Sequence, residues 1–424
     1  MHNPRWIAIP RNSRTDFWCE VFARHLNFDI MYFKPSFVGL ERVSVCSNDL
    51  GDFVKIGATQ PQTIHEASGS FEAWLRTFTP LDEADLRAKH EALAEAPFPF
   101  LRGTFFRWAQ LWPKLCKDVA TAPRVLAVGD LHVENFGTWR DAEGRLAWGV
   151  NDFDEAYELP YTNDLIRLAT SALLAIDSEH ISIDHKDACS AILSGYTRGL
   201  FAGKPYVIDE EHKWFLDIIA AKTVEPAKFW QKVRQNFADA GKTIKIPAAA
   251  KAALSASLPA GASDVQMSPR RAGVGSLGKP RYIALARWQG GPVAREIKAL
   301  TPSAVAWASK VGRAKSSILR LVRLMNAAGL RCPDPFFQVG KRYIQRRLAP
   351  DSHKIEMKVG VKTGYGWELL EAMGQETANV HLATAKIGAI RSDLKTRGDK
   401  WLCASAKVMR DSAIRDQEAW VRTR

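Results

Sequence analysis

Residues 129–154 read GDLHVENFGTWRDAEGRLAWGVNDFD, and three of their side chains have the types and spacing to serve one reaction. Asp130 and Asn135 stand five apart, and Asp152 follows the apolar run Leu146-Ala147-Trp148-Gly149-Val150 and precedes Phe153. A carboxylate at the first position can take the proton of an attacking hydroxyl. An amide oxygen and a second carboxylate are hard ligands of the kind Mg²⁺ accepts alongside phosphate oxygens and water. This set suits transfer of a phosphoryl group from a nucleoside triphosphate such as ATP to a hydroxyl, a reaction that rests on positioning and charge neutralisation. His132 lies inside the loop and can hydrogen-bond the loop or a substrate. Asp154 and Glu155 can add a second metal contact or bind a cationic acceptor, and Arg102 can reach phosphate or an acidic loop residue.

A later stretch carries the features a nucleotide would need. Gly273, Gly275 and Gly278 form G-x-G-x-x-G around Ser276. Alone, this spacing fits dinucleotide-binding folds, phosphate-covering loops and ordinary turns. A dinucleotide fingerprint needs a strand before the glycines and a helix after them. Here a Pro- and Ser-rich segment precedes, and the strand-like RYIALARW follows, turning at QGGP into VAREIKAL. Glycines that lead into a hairpin suit a loop whose backbone N–H groups approach phosphates. Lys298 falls in the second strand, twenty residues beyond Gly278 in R-E-I-K, and resembles the kinase lysine of V-A-I-K that contacts α- and β-phosphates. Between Ala299 and Pro333 no Asp or Glu is present to position it, which leaves Glu296, Glu368, Glu371 and Glu376 as candidates.

Regular elements must hold these residues in place. Val125-Leu126-Ala127-Val128 reads as a buried strand running into Gly129 and Asp130. A turn around 141–144 precedes a second strand that reaches Asp152. NDLIRLATSALLAI reads as a strongly apolar helix beginning at Asn163 or Asp164, both good N-terminal residues. Upstream, LDEADLRAKHEALAEA and PFPFLRGTFFRWAQLWPKLCKD have helical spacing, the second opened by Pro97 and Pro99. Residues 241–270 are rich in Ala, Ser, Pro and Gly and read as a linker. The tail from Ser303 is largely helical, with a strand pair around KRYIQRRLAP and SHKIEMKVG.

The motifs FLRG, GDLHVENFG, NDFDEA, PYTNDLIRLA, GVGSLG and REIK, taken together, resemble the bacterial domain-of-unknown-function family 2252. That family is similar to the aminoglycoside phosphotransferases within the protein-kinase-like superfamily, and the resemblance spans roughly residues 95–385. It implies an α+β, two-lobed protein-kinase-like fold with a helix-rich large lobe and a small lobe of antiparallel sheet. It implies Asp130 as catalytic base, Asn135 and Asp152 as Mg²⁺ ligands, and Gly273, Gly275, Ser276, Gly278 and Lys298 as the ATP-binding set. Asp164 would be a buried helix aspartate that braces the catalytic loop through its backbone. The helix ending GQETANVHLATA is similar to one packed behind that loop. In an ordinary kinase the glycine loop comes before the catalytic loop, so the reversed order here implies circular permutation. The expected layout is a mixed N-terminal extension over 1–95, a catalytic large-lobe core over 96–240 and the linker over 241–270. A nucleotide-binding small lobe over 271–350 and a helical C-terminal part over 351–424, completing the large lobe, follow. One nucleotide must span both halves, so Lys298 should come near Asp152.

Composition bounds the alternatives. A chain of 424 residues has room for two domains or one large two-lobed domain. No apolar run of about 18 residues occurs, so no membrane span is expected. The interrupted N-terminus does not read as a signal peptide. Six scattered cysteines without a C-x-x-C pair argue against a zinc site or disulfide framework and suit a reducing cytoplasm. The net charge of +13 is uneven: residues 241–424 hold 33 Lys and Arg against 13 Asp and Glu. A basic half attracts polyanions, nucleotide foremost and nucleic acid as the weaker candidate. A catalytically degenerate, kinase-like binding protein is therefore one rival class. A metallophosphoesterase is another, since D-x-H at 130–132 also begins such sites. It lacks a downstream G-N-H-D segment, and His180, His185, His212, His353 and His381 show no ligand spacing. Nucleotidyl transfer fits the same residues, and the hydroxyl-bearing acceptor is unspecified.

Overall fold

Several helices begin at side chains that cap them. The computed structural model describes residues 62–208, 212–220, 225–239, 246–311, 315–352 and 364–422. Thr63 and Glu66 close a capping box on Ile64–Arg76, and Asp82 accepts from the Asp85 N–H at 2.8 Å to cap Glu83–Glu95. Pro97–Gly103 follows with proline at its first position, where a missing N–H costs nothing, and Phe105–Leu115 continues from it. Residues before 62, and most of the expected strand SHKIEMKVG, lie outside the described residues.

The fold is α+β with small antiparallel sheets. Strand β1 (Arg124–Ala127) pairs with β4 (Tyr157–Pro160), and β2 (Phe136–Arg140) forms a hairpin with β3 (Leu146–Val150), extended by β5 (Tyr206–Val207). The largest sheet comprises β6 (Ser263–Pro269), β7 (Arg281–Trp288), β8 (Gly291–Ala299), β9 (Gln338–Val339) and β10 (Tyr343–Leu348). Their order is β6-β7-β8-β10-β9. Gln289 and Gly290 both have positive φ, the two-residue turn whose twist matches a tight hairpin. The register sets Arg281 opposite Lys298 and Lys298 opposite Ile344, so the three share one sheet face. Farther along that face, Ile283, Leu285 and Ala294 pack on Val233 of helix Pro226–Asp239. The opposite face buries Tyr282, Ala284 and Ile297 against Ala250 and Leu254 of helix Ala248–Ser257.

The linker expected over 241–270 therefore contains a helix and a strand. Its alanines are the strongest helix formers rather than spacer residues. The β6 residues are mostly exposed and polar, and pairing with β7 rather than composition makes them a strand.

Helix Tyr161–Asp177 occupies the centre of the main core, and every residue from 161 to 175 is buried. Helices His185–Gly199 and Gly366–Leu382 cross in backbone contact. A Cβ on Gly195 would overlap the Glu371 carbonyl oxygen, and one on Gly374 would overlap that of Ile192.

Candidate active site

β1 delivers the chain to Val128 and Gly129, whose N–H groups donate to the two oxygens of buried Asp164 at 2.7 and 3.0 Å. His381 Nε2 lies 3.0 Å from the same carboxylate, and the Tyr196 hydroxyl lies 2.9 Å from His381 Nδ1. Asn163 Nδ2 donates to the Gly129 carbonyl (3.1 Å), and Ser171 Oγ accepts from the Val133 N–H (3.0 Å). Gly129 has φ 85°, and a Cβ there would overlap the Glu155 carbonyl oxygen, so the turn into Asp130 requires glycine. Asp130 itself is gripped by Arg167, whose Nε and Nη2 donate to Oδ1 at 2.9 and 2.5 Å. Arg167 Nη2 also donates to the Leu101 carbonyl at 2.7 Å, and its guanidinium lies 4.7 Å from the Trp108 ring centre.

Asn163, Arg167 and Ser171 recur every four residues, which puts them on one face of helix Tyr161–Asp177. Arg167 and Ser171 are absent from the sequence-derived set. Their signal was present: polar residues at helical spacing inside an otherwise apolar helix must find partners.

The rest of the loop is internally tied. Asn135 donates its Nδ2 to the Asp130 carbonyl at 2.5 Å and its N–H to the His132 carbonyl at 2.8 Å. Its own carbonyl accepts from the Asn151 N–H at 2.9 Å, joining the loop to the segment that carries Asp152. Asn135 Oδ1 is thus the amide atom suited to a cation. His132 is buried, and its Nδ1 accepts from the Glu134 N–H (3.2 Å), a loop-holding contact. Arg102 pairs with Glu134 at 2.7 Å, so of its two expected partners it holds the acidic loop residue.

β8 brings Lys298 to 3.3 Å from Asp152, across 146 positions of sequence, and Asp154 forms a second ion pair with it. Lys298 is 2% exposed. Its carboxylate partners come from the segment after β3, and none of the four glutamates considered for that role supplies one. Glu296 pairs with Arg281 (2.7 Å) and with Arg270. Glu376 faces Arg331 (4.0 Å), Glu371 pairs with Arg198 (2.9 Å), and Glu368 is exposed. Glu155 lies 3.8 Å from Lys279 and accepts from the Ala304 N–H at 2.6 Å. Arg346 stands 3.8 Å from Asp152.

The glycine loop joins β6 to β7, with Gly273 and Gly278 at φ 72° and 90°. It is anchored to the preceding helices. Asp82 donates its N–H to the Gly278 carbonyl (3.0 Å), Leu86 fills the place of a Cβ on Gly278, and Gly275 abuts the Arg102 carbonyl. Arg271 pairs with Asp85. Asp130, Asn135, Asp152, Gly273, Gly275 and Arg281 all line one open cavity of about 310 Å³.

The electrostatics separate the two key aspartates. Burial opposes charge on Asp152, but Lys298 and then Arg346 outweigh it and hold the carboxyl well below the usual carboxylate range. For Asp130, burial prevails over the opposing pull of Arg167 and raises the carboxyl, making it the more basic of the pair. Glu296 is drawn down to about 2, since Arg281 and Arg270 overcome its burial. An ionised Asp152 and the Asn135 amide oxygen fit Mg²⁺, which characteristically fills its remaining positions with phosphate oxygens and water. Among the described residues no group of three His, Cys, Asp or Glu side chains could hold a metal unaided.

Residues 81–259, less than half of the chain, match the model of a family described as "Uncharacterized protein conserved in bacteria (DUF2252)". The match supports the family read from the motifs and takes in Arg102, Asp130, Asn135, Asp152, Asp164 and Arg167. The glycine loop and Lys298 fall beyond it. No curated protein and no solved structure matches the chain. Among the described residues no helix is long and apolar enough to cross a membrane.

Proposed function

We propose that this chain is a Mg²⁺-dependent phosphotransferase of protein-kinase-like build, moving the terminal phosphoryl group of a nucleoside triphosphate to a hydroxyl. The observation that carries the proposal is the 3.3 Å approach of Lys298 to Asp152, beside the cavity that Asp130, Asn135 and the glycine loop share. A lysine from one sheet and an aspartate far earlier in sequence meet where one nucleotide would need both. In this reading the β6–β10 sheet is the small lobe and the helical body the large one, in permuted order. Permutation is accessible to folds whose termini lie near each other at the surface.

Asn135 and Asp152 would hold Mg²⁺, which when bound offsets negative charge on phosphate oxygens. Lys298 would exchange part of its contact with Asp152 and Asp154 for phosphate. Both Arg167 bonds fall on Asp130 Oδ1, which leaves Oδ2 to orient the acceptor hydroxyl. The hydroxyl oxygen bonds to phosphorus, the bond to the bridging oxygen breaks, the nucleoside diphosphate leaves, and the proton passes to Asp130.

A second reading, a nucleotide-binding protein without catalysis, draws on one observation: Lys298 and Asp130 are both neutralised by partners within the chain. Thermal unfolding with and without Mg²⁺–ATP tests the site. Ligand at one hundred times its Kd stabilises by about 2.7 kcal/mol. The shift should persist in Asp130→Ala and weaken in Asp152→Ala and Lys298→Ala. No shift with any nucleotide sinks both readings, and a shift without phosphoryl transfer to any hydroxyl compound or water favours the second.

A further inference from the structure

A second cavity of about 30 Å³, room for a water-sized group or two, adjoins the first. It shares Asp130, Glu155, Arg102 and Lys279 with the larger cavity, Leu75, Leu86 and Phe106 give it an apolar wall, and Glu72 also lines it. Lys89 of helix Glu83–Glu95 also lines it and is 5% exposed. Among the described residues the Lys89 ammonium has no hydrogen bond and no carboxylate within ion-pair distance. The carboxylates around it are engaged elsewhere: Glu72 with His90 (2.7 Å), Asp130 with Arg167, and Glu155 with Lys279. Burial, followed by the neighbouring charge of Lys279, lowers its ammonium to about 8. Glu72, Glu155 and Asp130 attract the Lys89 ammonium from a distance, but none pairs with it directly, and an anion entering the cavity could do so.

We infer that Lys89 and Lys279 form a subsite for an oxyanion of the acceptor, so that the hydroxyl compound presented to Asp130 carries a carboxylate or a phosphate. The identity of the acceptor rests on the phosphotransferase reading, whereas the anion subsite stands on the cavity and its cations. Asp130 lines both cavities, so one molecule can seat its anionic end against Lys89 and its hydroxyl at the carboxylate. The cationic acceptor considered for Asp154 and Glu155 finds those carboxylates already paired.

Three related probes test this: glycerate, glycerol 3-phosphate and glycerol, titrated into the full chain with Mg²⁺–ADP and followed by thermal unfolding. At least one anionic probe should shift the wild type while glycerol does not, and the one that does identifies carboxylate or phosphate as the group held. Lys89→Met should bind that probe at least about tenfold more weakly, the weight of one charged hydrogen bond, and keep its Mg²⁺–ADP shift. Should that variant not fold, Lys89→Gln, which keeps a polar end group in the cavity, gives the same comparison. The inference is overturned if neither anion binds, if glycerol binds equally, or if the variant binds like the wild type. Anion binding that depends on Lys89 without any nucleotide shift would support the subsite and strike the phosphotransferase reading instead.

Discussion

Arg167→Met removes one buried charge and keeps most of the side-chain length. In the folded chain the guanidinium is 0% exposed, makes two bonds to Asp130 Oδ1 and one to the Leu101 carbonyl, and stacks near Trp108. Removing one partner of a buried ion pair costs about 3–5 kcal/mol, because the other charge is left uncompensated. The Asp130 side chain keeps 18% exposure toward the cavity, so water takes up part of that charge, and about 3 kcal/mol is expected. The cost should depend on Asp130. In an Asp130→Asn background Arg167 is itself the uncompensated ion, so its removal should be nearly neutral, a coupling of about 2–3 kcal/mol. Without Arg167 the Asp130 carboxyl rises further above its unfolded value. A carboxyl with a raised folded pKa binds a proton that the unfolded chain releases, so its penalty grows as pH climbs through that window. The loss in Arg167→Met should therefore be larger at pH 8 than at pH 5. Urea unfolding of the four proteins at both pH values measures all three quantities. A loss under about 1 kcal/mol, or an equal loss in both backgrounds, would refute the account of Arg167 as the fixed counter-ion of Asp130.

Two further outcomes follow from packing and burial. Gly374→Ala places a methyl on the Ile192 carbonyl and should cost about 1–3 kcal/mol or more by forcing helices His185–Gly199 and Gly366–Leu382 apart. Gly388→Ala, in a helix with open space at that position, should be neutral or stabilise by up to about 1 kcal/mol; similar losses in both would remove the packing argument. Glu376 is raised to about 7 by burial, against the pull of Arg331. Its folded carboxyl keeps a proton that the unfolded chain gives up above about 4.5, so its contribution falls between there and about 7, by roughly 3 kcal/mol. Glu376→Gln should flatten that part of the stability profile, and urea midpoints at pH 5 and pH 8 that change alike in both proteins would count against it.

The residues that meet at the candidate site were legible where local spacing carries a signal. Asp130, Asn135 and Asp152 lie within one short stretch, and Asp164 opens the helix whose start the sequence marks to within three residues. The meeting of Lys298 with Asp152 was expected from the proposal that one ligand spans both halves. The partners of Lys298 did not follow, because the expected partners were glutamates, Glu296 on its own strand and Glu368, Glu371 and Glu376 on a later helix. Asp154 lies two positions from Asp152, and a turn that directs both side chains toward β8 leaves no composition signal. Lys89 was invisible for a related reason. In sequence it belongs to a charged, alternating helix, and only the packing of Leu86 and Phe106 around it reveals a buried ammonium. Helix Ala248–Ser257 was misread because alanine enrichment marks both low-complexity spacers and good helices.

The anchoring of the glycine loop bears on the thermodynamics and timing of binding. A mobile loop that closes on a ligand gives up conformational freedom at each encounter, about 1–2 kcal/mol for every backbone residue it orders. Here Asp82, Leu86 and Asp85 hold the loop through the fold itself, so its ordering belongs to folding rather than to ligand capture. Such preorganisation favours tight association. If the proposed nucleotide binds under this loop, its escape would be tied to the slow breathing of helices Glu83–Glu95 and Pro97–Gly103 rather than to the rapid flicker of an untethered loop.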